Sequence, residues 1–122
     1  MFSNLQQCIA ASSTRPINEL ISELLRWYDA VDAFLKTYQH SATGVIASTL
    51  ADVRVGNLVL RHEIASLRFA VKHSRPYWER VTWVNDDLGK QYQALSELHQ
   101  LVEDQQGPWA EKLRVDIERL LD

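Results

Sequence analysis

A chain of 122 residues is the size of one domain (1–122) and can hide roughly 65% of its unfolded surface, so it needs no disulfide or structural metal. Its net charge of −3 gives no bulk attraction for nucleic acid or an anionic membrane. The single cysteine, Cys8, excludes an intramolecular disulfide and a cysteine-based zinc site, and a reducing, cytoplasmic setting is the expectation.

The first stretch, MFSNLQQCIAASSTRP, lacks the charged and apolar regions of a secretion signal. No later stretch approaches the ~20 apolar residues of a membrane span. Ser3-x-x-Gln6 reads as a capping box for a short helix over about 4–11. Pro16, Pro76 and Pro108 each follow a polar or glycine-bearing stretch and precede apolar-periodic sequence. Proline in the first turn marks a helix start, which predicts helices over 16–39, 44–73, 76–104 and 108–121.

Periodicity supports each of them. After Pro16, residues Ile17, Ile21, Leu24, Tyr28, Val31, Leu35 and Tyr38 follow alternating steps of four and three. Leu20, Trp27 and Phe34 repeat every seven beside that seam and widen it. After SATG the seam continues as Ile46, Leu50, Val53, Asn57, Leu60, Ile64, Leu67 and Val71. After HSRP it runs Tyr77, Val81, Val84, Leu88, Gln91, Leu95, Leu98 and Val102. Such seams predict long helices packed at shallow angles, as in coiled coils and bundles. A shorter face follows Pro108, with Trp109, Leu113 and Ile117. The fold class is therefore an all-α, antiparallel up-down bundle of three long helices plus a short C-terminal helix, with a short N-terminal one less firmly marked.

Asn57 and Gln91 interrupt two seams at equal distances from Ser74 in the HSRP turn, so antiparallel packing predicts that they meet. A register-setting amide pair is the expected role, ahead of a polar ligand pocket. The helix over 44–73 also carries Val55, Leu58, Val59 and Phe69 on its far side. A helix apolar on two faces is covered either by the terminal segments of its own chain or by a second copy.

Arg54, Arg61, Arg68 and Arg75 recur every seven residues beside the seam. Ion pairing to Asp29, Asp32, Glu23, Asp86 or Asp87 is the expected use; an anionic groove for a partner is the other. Trp83 falls among charged residues on the third long helix, where it is either an interface anchor or covered by a terminal segment. Trp27, Trp78 and Trp109 are expected in the core.

Two catalytic patterns share residues 60–73. Arg68-x4-His73 resembles the R-x4–6-H motif of helical ribonucleases of the HEPN superfamily. Membership would imply a cleft holding both side chains, usually in a dimer. On a continuous helix the two lie about 140° apart, so they converge only if the helix ends between them, and Phe69 replaces the polar residue that commonly follows the arginine. His62-Glu63-x-x-Ser66 resembles the phosphoacceptor box of sensor kinases. That resemblance implies an exposed His62 imidazole assisted by Glu63, but the box's basic residue and proline are missing. The four histidines lack i,i+4 spacing for a metal, and no cofactor is expected. The leading expectation is a non-catalytic module that binds another protein, as an adaptor, immunity protein or chaperone, through Trp83 and the arginine row. It would act as a monomer or as a homodimer through helix 44–73.

Overall fold

A computed structural model describes residues 1–122 as five helices: α1 (Phe2–Ala10), α2 (Ile17–Tyr38), α3 (Gly44–Lys72), α4 (Trp78–Glu103) and α5 (Pro108–Leu121). The all-α class holds, but three long helices plus a short one is corrected to five. Nine residues of α1 are too few to show a period, and so short a helix is held by packing rather than by propensity. Phe2, Leu5 and Cys8 bury one face of it. The expected cap is also displaced, because Ser3 lies inside α1 and no side chain caps that helix. The carbonyl of Asp122 does so instead, accepting from the Met1 amine at 2.6 Å and from the Ser3 N–H at 3.1 Å.

Helices α2 and α4 each pack against α1, α3 and α5. Ile21, Leu24, Val31, Leu35 and Tyr38 are buried on the seam of α2, and Leu20, Trp27 and Phe34 are buried beside it. Two buried rows let α2 pack against α1, α3 and α5 together. Pro16 precedes this helix, and Pro76 stands two residues ahead of α4, so neither lies in a first turn as expected. Pro108 does open α5, where its fixed φ suits the first helical position.

The hairpin of α3 and α4 is closed at HSRP. Arg75 N–H bonds the Ala70 carbonyl at 2.8 Å and Ser74 N–H bonds that of Val71 at 3.2 Å. This is the Schellman pattern, with Ser74 at the left-handed position (φ 53°) that glycine usually fills. The antiparallel register follows from this turn. Asn57 and Gln91 meet as expected, Gln91 Nε2 donating to Asn57 Oδ1 at 3.1 Å. The chain of bonds then extends into α2: Trp27 Nε1 donates to Gln91 Oε1 at 2.6 Å, and Asn57 Nδ2 donates to the Tyr28 carbonyl at 3.3 Å.

Both terminal helices lie on one side of this frame. Phe2 packs its ring against Trp27 and Tyr92, at centroid distances of 5.2 and 4.7 Å. Tyr38 donates a short hydrogen bond to Asp116 of α5, and Trp109 Nε1 donates to Ser41 Oγ at 2.8 Å. Neither α1 nor α5 packs on α3, whose only helical neighbours are α2 and α4. The expectation that terminal segments cover the far side of α3 is overturned.

Candidate functional site

The outer face of α3 carries four exposed apolar residues and has no helix packed on it. Helical rotation of 100° per residue places Val55, Leu58, Val59 and Phe69 opposite the buried seam. Their exposures are 60%, 45%, 43% and 52%, far above those of the seam residues Val53 and Leu60, at 0% and 1%. Singly exposed apolar residues need no explanation, but four on one helix face, with His62 among them, mark a candidate interaction surface.

Trp83 extends this row across to α4. No terminal segment covers it; it is 48% exposed and lines a groove with Val59, His62, Glu63, Ser66 and Arg80. At about 270 Å³ the groove has room for one or two side chains and is smaller than sites that enclose a cofactor. Arg80 is fixed there, donating from Nε to Ser66 Oγ at 2.9 Å and from a terminal guanidinium nitrogen to the Pro76 carbonyl at 2.9 Å. The His62-Glu63-x-x-Ser66 residues and the tryptophan, unrelated in sequence, thus share one groove.

Glu63 is the unusual group in it. Its Oε2 is buried without a hydrogen-bond partner. Burial, then the hydrogen bond and negative charge of Asp87 on α4, push its carboxyl up to about 8, with Lys90 opposing. Sequence reasoning placed Glu63 beside His62 and missed Asp87 as its neighbour. A signal existed: the register that pairs residues 57 and 91 sums to 148, which sets residue 63 opposite 85, within a turn of Asp87.

The arginine row is exposed and unpaired. None of Arg54, Arg61, Arg68 or Arg75 joins an ion pair; those present are Arg26–Glu23, Lys36–Asp32, His99–Glu118 and Arg119–Asp116. Two of the acids expected to bridge to the arginines, Glu23 and Asp32, pair instead with basic residues three and four positions away on their own helix. Arg75 instead lies 5.7 Å from the Phe69 ring centroid, and His73 packs on the same ring at 4.2 Å. Helix α3 continues through Lys72, so Arg68 and His73 are not brought together by a helix end between them. Arg68 lies beside Asn18 and Ile21 of α2, while His73 caps α3 against Phe69.

Trp27 is buried, at 1% exposure, and Trp109 packs partly buried on the core. Trp78 departs from the core role expected for it. It is half-exposed and stacks on Tyr77, with ring centroids 5.2 Å apart. No group of three or more His, Cys, Asp or Glu side chains is arranged to hold a metal ion, and no helix is long and apolar enough to cross a membrane. No protein-family model, curated protein or solved structure matches this chain.

Proposed function

We propose that the protein is a non-catalytic interaction module that binds another protein through the outer face of α3 and the adjoining Trp83. One observation carries this reading: Val55, Leu58, Val59 and Phe69 form an uncovered apolar row on a helix whose opposite face is fully buried. A soluble bundle gains nothing in its own stability from such a row, whereas interface cores are built of apolar and aromatic residues. A reducing, cytoplasmic setting accords with the buried free thiol of Cys8, whose pKa burial raises. The ribonuclease and phosphotransfer alternatives gain no comparable support. Helix α3 runs unbroken from Arg68 to Lys72, and the half-buried Glu63 beside His62 is engaged with Asp87.

The test is site-specific photo-crosslinking in the cells that express the protein. A crosslinking side chain in place of Val59 is expected to trap a discrete partner. The same side chain in place of Gln93, exposed on α4, is expected to trap none, and Leu58→Asp is expected to abolish the adduct. Equal adducts from both positions, or none from Val59, would overturn the reading.

A further inference from the structure

The charges beside the α3 outer face narrow down what can dock on it. Arg54, Arg61 and Arg68 line the edge toward α2, one every seven residues, about 10 Å apart along the helix axis, and all are exposed without an ion-pair partner. The opposite edge, toward α4, mixes signs: it carries Asp52 and Glu63 and, across the groove, Arg80, Asp87 and Trp83. Between the edges, Val55, Leu58, Val59 and Phe69 form an apolar ridge about 21 Å long, with the exposed His62 at its middle, and the small exposed residues Ala51, Ala65 and Ser66 leave holes along it. A straight ridge with holes at helical spacing is complementary to the side-chain rows of another helix.

Resting on the protein-binding reading above, we propose that this face takes an amphipathic α-helix of a different protein, whose edge over Arg54, Arg61 and Arg68 carries a row of Asp or Glu. A second copy of the chain fits poorly. A two-fold antiparallel pairing through the ridge sets the same edge against itself, with Arg61 opposite Arg61 and Arg54 opposite Arg68. A parallel pairing offers the three arginines one exposed carboxylate, Asp52. An anionic membrane fits poorly too, since a membrane-surface helix is basic over its polar face and here the second edge sets Asp52 and Asp87 beside Arg80. An acidic row on a partner helix meets the cations at the spacing they already have, as e and g positions do in coiled coils.

The experiment uses the full chain and two synthetic helical peptides of about three heptads. They share identical Leu and Ile rows, and one flank is Glu in the first and Lys in the second. Fluorescence anisotropy is expected to show the Glu-flanked peptide binding about tenfold more tightly, with the difference shrinking in salt. R54A/R61A/R68A should erase the preference and R54E/R61E/R68E should reverse it, each with an unchanged circular dichroism spectrum. L58D/V59D should weaken both peptides. Equal affinity for the two peptides would overturn the charge assignment while leaving the docking face standing. Binding of neither peptide would overturn the proposal outright. So would arginine-dependent retention on phosphatidylserine vesicles without peptide binding, or a dimer by light scattering that L58D/V59D dissolves.

Discussion

Gln91 of α4 and Asn57 of α3 share a buried hydrogen bond of 3.1 Å, and Gln91 at the same time accepts from Trp27 of α2 at 2.6 Å. One amide therefore ties three helices. Its removal orphans two groups, the Trp27 N–H and the Asn57 carbonyl, whereas removing Asn57 orphans only the Gln91 amine and frees the Tyr28 carbonyl. Each unsatisfied buried group costs about 1–3 kcal/mol. Gln91→Leu is expected to lower stability by about 2–4 kcal/mol and Asn57→Leu by about half as much, measured by urea unfolding. Equal costs would mean that Trp27 finds another acceptor.

The pH dependence follows from Glu63. Its pKa is raised in the folded protein, to about 8 from 4.5, so the folded state holds a proton that the unfolded chain releases. The stabilisation from that proton is complete below about pH 4.5 and is lost as pH rises through about 8. The loss is on the order of 1 kcal/mol once solvent screening at this partly exposed groove is allowed for. The urea midpoint is expected to fall between pH 5 and pH 9 (approximate bounds of that titration), and Glu63→Gln should flatten the fall. A slope unchanged by that substitution would place its origin elsewhere.

Ser74 ends α3 at φ 53°, a conformation that costs a residue bearing a Cβ about 1–2 kcal/mol. Glycine loses more entropy on folding, which offsets part of the gain. Ser74→Gly is accordingly expected to raise stability by about 0.5–1 kcal/mol, and Ser74→Val to lower it, in thermal unfolding. A destabilising glycine would show that the serine side chain contributes something beyond the turn.

The outer face of α3 lies outside the core, so replacing it should leave the fold intact. Leu58→Ser, Val59→Ser and Phe69→Ser are each expected to change stability by no more than about 0.5 kcal/mol, as surface substitutions do. Val53→Ser on the same helix, at 0% exposure, should cost several times more. The comparison is made by calorimetry on protein shown to be monomeric. Large losses at the outer positions would mean that a second copy already covers them.

The long helices and their register were legible in the amino-acid sequence because both depend on local order. Seams of alternating four and three residues define α2, α3 and α4. Equal distances from the HSRP turn pair Asn57 with Gln91, and that pairing needs no knowledge of the other helices. Proline placed the start of α5 for the same local reason. Short α1 was only faintly marked, since nine residues hold too few periods and its cap comes from Asp122, at the far end of the chain.

What the tertiary structure alone decided is which apolar faces are covered. Both α2 and α3 carry a second apolar row, and composition along the chain does not rank them. Helices α1 and α5 settle on the side of α2 and α4, held by Phe2 on Trp27 and Tyr38 on Asp116, so the second row of α2 is covered and the outer row of α3 stays open. The same placement leaves Trp83 exposed in the groove that the α3–α4 register forms beside Glu63. Helix formation is governed by neighbours three and four residues away, whereas coverage of a face depends on residues up to a hundred positions distant, whose contacts exist only after the chain has folded.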